Sequence, residues 1–295
     1  MSDFQVISDS SCDIPDEIVK KYNIEIVPFY VSFDQVEYYK EKVDISITDF
    51  YSRLTSEEVF PKTSLPSVQD YINVFTKYIK EGKDILCLCL SDKFSGSYQS
   101  AVNAKNILEE EYENAKISVV NSILATTGQG LLVIEAARMK EDGLSLEETL
   151  EKIEILKETA RVMFTVGTLE YLQKGGRIGK AKALAGTMLN LKPLLVLKEG
   201  ELFPYGTIRG RKKSLKKIIE MTKEYFEEIK ENFNEYNFAV TTGTFFDEAV
   251  KVKEELEEEL GVKLDNPIFS VGVTIGTYTG PDPIGICFVK KYEKI

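Results

Sequence analysis

The chain has no histidine and no tryptophan among its 295 residues. Without histidine there is no Ser-His or Cys-His nucleophile pair, and most zinc sites are excluded. Cysteine is scarce: Cys12, Cys87, Cys89 and Cys287 are the four present. They form no Cys-x-x-Cys pair, and scattered thiols in a chain this long fit a reducing cytosol rather than a disulfide framework. Cys87 and Cys89 alternate with leucines, which reads as strand packing. Basic charge is in deficit, 37 Lys and Arg against 48 Asp and Glu, so no nucleic-acid partner is expected. No apolar run approaches the ~20 residues of a spanning helix. Residues 1–10 lack the basic, apolar, small-residue order of a signal peptide. A cytoplasmic protein with at most transient membrane contact is expected. Neither a Walker-type glycine loop nor a clustered-carboxylate metal site is visible, so no cofactor or metal is expected.

What is present is a regular alternation of short strands and helices. Residues 85–90 are a continuous apolar run, read as a buried strand. Residues 91–94 form a loop, and Ser95, Gly96 and Ser97 open a helix whose apolar face is Ala101, Ala104, Ile107 and Leu108. A helix start leaves amide N–H groups unpaired and carries partial positive charge. At the carboxyl end of a strand this is a candidate anion site; Ser95 as a plain N-cap is the alternative. Further strands are predicted at 4–8, 24–33, 36–39 and 116–120. Helices are predicted at 15–22, with Asp13 as its cap, and at 46–54, 68–81, 121–141 and 146–158. Residues 61–67 read as a proline-bounded loop.

This pattern predicts an α/β fold of two α/β domains. Residues 1–158 would form a parallel sheet with helices on both faces, and residues 159–295 a mixed sheet. The boundary is placed where the pattern changes. In the second half a strand is predicted at 161–167, a helical turn at 168–172, a helix at 180–189 and a hairpin from 193–197 and 201–208. Then come a long helix at 211–232, a strand at 236–241 and a helix at 245–260. Strands at 266–273 and 285–291 are joined by the loop 274–283.

Several hydroxyl- and glycine-rich loops flank these strands, and strand ends of parallel sheets converge on one crevice. Ser10, Ser11 and Asp13 read as turn and cap residues or as ligands. Arg177 either pins a Gly-Gly turn or faces the crevice. Arg209, Arg211, Lys212 and Lys213 are the one concentrated basic patch, either a solvated helix start or a dock for an acidic partner or lipid head groups.

Five of these stretches occur in the order of a known family. They are Asp9-Ser10-Ser11-Cys12-Asp13-Ile14-Pro15, Thr63-Ser64-Leu65-Pro66-Ser67, residues 94–101 around Ser95-Gly96-Ser97, residues 169–178 ending in Gly175-Gly176-Arg177-Ile178, and Gly276-Thr277-Tyr278-Thr279-Gly280-Pro281. The chain resembles the DegV family of bacterial fatty-acid-binding proteins, which includes the FakB components of fatty acid kinase. The resemblance implies one long-chain fatty acid held between two domains. Thr63, Ser95, the Gly96 N–H and Tyr278 would hold the carboxylate, with Ser10, Ser11, Ser97 and Arg177 near the site and the tail in an apolar tunnel. Ile123, Leu124, Leu184, Met188, Leu189 and Ile275 are tunnel candidates, or ordinary core. The resemblance also implies a separate ATP-dependent kinase subunit that phosphorylates the bound acid, with Arg209 and Arg211 as docking candidates. The family commonly carries histidine where this chain has Tyr278, and small residues where it has Asp282-Pro283. A tyrosine hydroxyl donates a hydrogen bond but does not become a cation near neutral pH, as histidine does. The competing reading is an enzyme acting on an acyl or phosphorylated substrate in the same crevice.

Overall fold

The computed structural model describes residues 3–57, 59–184, 186 and 191–295. In order these form β1 (Phe4–Asp9), α1 (Asp16–Lys21), β2 (Glu25–Val27), β3 (Tyr30–Ser32), β4 (Tyr39–Lys40), α2 (Ile47–Ser56), β5 (Lys62–Ser64), α3 (Val68–Lys80), β6 (Asp84–Cys89), α4 (Ser97–Glu111), β7 (Ile117–Asn121), α5 (Thr126–Glu141) and α6 (Leu146–Thr159). The chain continues with β8 (Arg161–Thr165), α7 (Glu170–Gly175), β9 (Leu191–Lys198), β10 (Glu201–Arg209), α8 (Arg211–Ile229), β11 (Tyr236–Thr242), α9 (Phe246–Leu260), β12 (Phe269–Ser270), α10 (Val273–Thr279) and β13 (Ile284–Lys290).

Two sheets form the frame. The first is parallel, in the order β2-β1-β6-β7, and the second is mixed, in the order β10-β9-β8-β13-β11-β12. On the outer face of the first, Tyr71, Phe75 and Tyr78 of α3 meet Ala101, Ala104 and Leu108 of α4 over Ile7 and Ile85. The alanines let α4 lie close to the strands. The inner face belongs to α5, buried at every position from Thr126 to Ala137. A helix without a polar face must sit inside the protein, and α5 touches both β1 and β13. One apolar cluster therefore runs from Phe4, Leu86 and Leu88 in the first sheet to Val162, Leu195 and Leu197 in the second. The four cysteines are buried and free, as packing residues are.

The strand read at 36–39 is confined to Tyr39–Lys40, and Ile107, read on the apolar face of α4, is exposed; local pattern and structure part company in five further places. The strand read at 24–33 breaks at Pro28, which has no N–H for a ladder; β2 joins the parallel sheet, and β3 joins a small antiparallel sheet in the order β4-β3-β5. Within the loop read at 61–67, residues 62–64 pair with β3, Thr63 opposite Val31. Asp13 does not cap α1, whose N-cap is Pro15. The helix read at 180–189 is a 3-10 turn over Gly179–Leu184, and residues 185 and 187–190 lie outside the described residues.

The fifth difference positions the site. Strand and loop are expected across 266–283, because Val273, Thr274, Ile275, Thr277 and Thr279 are β-branched and Gly276 is a poor helix former. The chain instead forms α10, and the caps come from far away in sequence. Glu41 accepts from the amides of Val273 at 2.5 Å and Thr274 at 3.2 Å, and from the Thr274 hydroxyl at 2.6 Å. Asp13 accepts from the Gly272 amide at 3.0 Å and the Thr126 hydroxyl at 2.5 Å. Two carboxylates thus face the positive end of the helix, where an anion is favoured. Gly272 admits both, since a Cβ there would lie 2.5 Å from Asp13 Oδ1 and from Glu41 Oε1. Burial, reinforced by the charge of Glu41, pushes the Asp13 carboxyl well above its ordinary range. Burial also raises Glu41, against the pull of its bonds to Ser10 and Thr274. Lys42, bonded to the Ile14 carbonyl and to Asp16, is the nearby cation.

A carboxyl raised on folding binds more protons folded than unfolded. Its stabilising contribution is present at acid pH and is lost as pH rises from the ordinary carboxylate value, about 4, through its folded value. Asp13→Asn, which retains an acceptor for Gly272 and gives Thr126 a donor, should therefore flatten the stability loss between pH 5 and pH 8 in urea titrations. Asp13→Ala orphans two buried donors and should cost about 1–3 kcal/mol. Equal pH slopes for wild type and Asp13→Asn would remove this account. Gly276→Ala should also destabilise, by about 1–3 kcal/mol from overpacking, because its Cβ would lie 2.7 Å from Tyr51 Oη and 2.9 Å from Phe50. Thermal melts measure it.

Candidate functional site

Between the two sheets lies a cavity whose empty volume, mouth included, is about 940 Å³. Its floor is one face of the mixed sheet: Leu202 of β10, Leu197 of β9, Val162 and Phe164 of β8, Gly285 of β13 and Thr241 of β11. These strands are consecutive neighbours in the sheet, so at ~4.8 Å per spacing the floor extends about 19 Å. Its roof is α10, which presents Thr274, Ile275, Tyr278 and Thr279. That is the i, i+1, i+4, i+5 face of one helix.

Exposure gives the cavity a direction. Arg177 and Leu65 are exposed, and Thr63, Phe94, Ser95 and Tyr278 are half-buried, whereas Val162, Phe164, Thr241, Val271 and Gly285 are buried. The first group is the mouth and the second the closed end. At the mouth the Thr63 and Tyr278 hydroxyls share a hydrogen bond of 2.7 Å. Ser95 Oγ accepts from the Ser97 amide at 3.2 Å, which leaves the Ser95 proton to be given. Arg177 lies with its guanidinium 5.1 Å from the Tyr278 ring centroid, a cation–π distance. It donates to the Phe94 carbonyl at 3.1 Å and the Gly175 carbonyl at 2.8 Å. Arg177 thus pins its turn and also borders the cavity. The Tyr278 ring fills the place of a side chain at Gly175.

Deeper in, the hydroxyls turn away from the space. Thr126 gives its proton to Asp13, Thr274 to Glu41, Thr241 to the Phe269 carbonyl and Thr279 to the Ile275 carbonyl. Their hydrogen bonding is spent on the protein. Thr126 holds φ at +50°, which is rare for a β-branched residue and is a strain tolerated at sites.

Of the residues singled out in the sequence, Thr63, Ser95, Arg177 and Tyr278 line this cavity. Gly96 is exposed beside it, outside the lining. Ser10, Ser11 and Ser97 are buried behind the wall. Ser10 donates to Glu41 at 2.6 Å, Ser11 to Asp9 and to Gln129, and Ser97 to Asp9 at 2.9 Å. Asp9, raised by burial, also accepts from the Leu90 amide at 2.9 Å and so ties β1 to the start of α4. Among the tunnel candidates Ile275 lines the cavity, while Ile123, Leu124 and Leu184 do not; Met188 and Leu189 lie outside the described residues. Arg211 is engaged within the fold, bonded to Glu248 and to the Asp282 carbonyl at 2.8 Å each. Arg209, Lys212 and Lys213 are exposed. Asp282 accepts from the Gly167 amide at 2.8 Å and secures the loop before β13. Sequence reasoning missed Glu41, whose partners on α10 are more than 200 residues away, and the floor residues. The alternation Val162-Phe164 was their signal, but it also describes ordinary core. Among the described residues no group of three His, Cys, Asp or Glu side chains is placed to hold a metal ion.

The same architecture occurs in proteins of known structure. A stearic-acid-binding protein of Eubacterium ventriosum superposes with a TM-score of 0.94 at 38% identity, over 99% of this chain and 100% of that one. A DegV family protein of Thermus thermophilus, described by its fatty acid binding, gives 0.88 at 30% identity, over 98% and 100%. A DegV domain-containing protein of Clostridium perfringens is 34% identical over 289 residues, 97% of this chain and 99% of the relative. The family model described as uncharacterised protein, DegV family, matches residues 3–291. With its fold and nearly its whole length shared in this way, the chain belongs to the DegV family.

Proposed function

We propose that this protein binds one long-chain fatty acid, carboxylate at the mouth and tail along the sheet floor. The observation that carries the reading is the polarity gradient of the cavity. Hydroxyls with protons to give stand at the mouth, and every threonine hydroxyl deeper in is turned onto the protein. The length agrees. A zigzag chain advances about 1.2 Å per bond, as in an extended backbone, so sixteen to eighteen carbons span roughly 18–20 Å against a floor of about 19 Å. Burying such a tail yields on the order of 10 kcal/mol at ~0.8 kcal/mol per methylene, reduced by the entropy of association and ordering. The carboxylate adds orientation. It costs free energy to desolvate unless donors meet it, and Thr63, Ser95 and Tyr278 supply hydroxyls, with Arg177 beside them. The Gly96 N–H, at the exposed start of α4, is the fourth donor of this reading. Relatives that bind stearic acid and other fatty acids on the same fold support it.

In the same reading residues 1–158 and 159–295 are the two lobes around the ligand. The protein is a non-catalytic cytoplasmic carrier. An acid bound head-outward leaves its carboxylate within reach of a second protein, so an ATP-dependent kinase subunit that makes the acyl phosphate is the proposed partner. Arg209, with Lys212 and Lys213, is the exposed basic surface for docking; Arg211 is not free for it.

Denaturing extraction of the purified protein followed by mass spectrometry should release fatty acid in near-stoichiometric amount. Lipid-free protein that also fails to take up added acid would end the proposal. Thr63→Val combined with Ser95→Ala should weaken binding by about tenfold or more, since a hydrogen bond to a charged group is worth about 1.5–3 kcal/mol. Unchanged affinity in a folded double variant would move the head group elsewhere. With ATP, acyl phosphate trapped by hydroxylamine should require the added kinase subunit; its formation by this chain alone would favour the enzyme reading.

A further inference from the structure

Gly285 sits on β13, the fourth of the five strands that make the cavity floor. It is in register with Thr241 on one side and with Phe164 on the other, and Phe164 in turn with Leu195. In this cross-strand row β13 alone presents no side chain. A glycine inside a strand weakens it, so its presence needs a reason. Backbone conformation is not that reason, because Gly285 is absent from the positive-φ glycines. Nor is it a hard clash: a Cβ here would lie 3.1 Å from Phe164 Cβ and 3.3 Å from Thr241 Cγ2, close enough to need a small shift. What the glycine leaves is a notch between Phe164 and Thr241, on the buried floor at the closed end of the cavity.

Resting on the fatty-acid reading above, we infer that Gly285 sets how far an alkyl chain penetrates, and so fixes the upper limit of chain length. The tail enters between Thr63, Ser95 and Tyr278 and crosses the floor from strand to strand. To reach Thr241 and Val271 it passes over β13, and Gly285 is where β13 leaves room. A branched side chain at this position would stand in the path of the last methylenes and leave the head-group contacts untouched. A glycine serving only strand packing would behave differently, since its replacement would weaken the fold and lower every affinity alike.

The test is titration of delipidated protein with saturated acids of ten to eighteen carbons. Gly285→Val should lower affinity for the sixteen- and eighteen-carbon acids about tenfold relative to the ten- and twelve-carbon acids, the effect of leaving about two methylenes unburied. Gly285→Ala should fall between Gly285→Val and wild type. Phe164→Leu, which keeps the Cβ beside Gly285 but takes ring bulk from the cavity lining, should move the preference the other way. These two variants decide the matter should Gly285→Val not fold. An unchanged length profile, or a loss uniform across lengths, in variants with wild-type circular dichroism overturns the role of Gly285 while wild-type binding leaves the fatty-acid reading standing. A wild-type protein that takes up no acid of any length overturns both.

Discussion

The site depends on one interaction: the amino end of a seven-residue helix held by two buried carboxylates from the other half of the chain. Seven residues, most of them β-branched, do not make a helix in isolation; nucleation is too costly. Glu41 and Asp13 satisfy the amides that such a helix leaves open. Their charge opposes the partial positive charge of the helix end. The arrangement places the roof of the cavity over its floor with the accuracy of hydrogen bonds, and it carries a cost, since burial raises the proton affinity of both carboxyls and the charge of Glu41 raises that of Asp13 further. Ser10 supports Glu41 from behind and accepts the Phe29 amide at 2.9 Å. The polar motif near the amino terminus is therefore structural support for the roof.

The second organising device is the disposal of hydroxyls. Four threonines line the inner cavity, yet each donates to a carboxylate or carbonyl of the protein. A threonine so engaged contributes its methyl group and little polarity to the space it faces. An apolar channel is thus built partly from polar residues, and composition alone would not disclose it. At the mouth the pairing changes: the Thr63 and Tyr278 hydroxyls bond to each other, an arrangement that an incoming acceptor enters by taking one of their protons.

Much of the fold was legible from sequence. The run 85–90 followed by Ser95-Gly96-Ser97 is β6 and the start of α4, the small residues of 125–130 do allow close packing of α5, and Lys198-Glu199-Gly200 does turn a hairpin. These features are local: periodicity, caps and turn residues a few positions apart. The misreadings share a cause as well. α10 is stabilised by residues more than 200 positions away, β5 by pairing to β3 across the intervening helix α2, and the cavity floor by strands whose alternation matches a filled core. At the mouth, Thr63, Ser95, Arg177 and Tyr278 were readable because their motifs match a family. Ser97 and Ser11 resembled them in type, but they point inward to Asp9, and nothing in residue type distinguishes the two directions.

Helix α5 has a consequence for how the molecule holds together. It is buried from Thr126 to Ala137 and belongs to the cores of both sheets at once, so neither half owns a complete interior. Relative motion of domains is the default where their junction is small and polar; here the junction is a shared apolar helix. Separating the halves would strip α5 on one side and expose most of a core. The two halves are therefore bound into one cooperative unit rather than into two rigid bodies joined by a hinge.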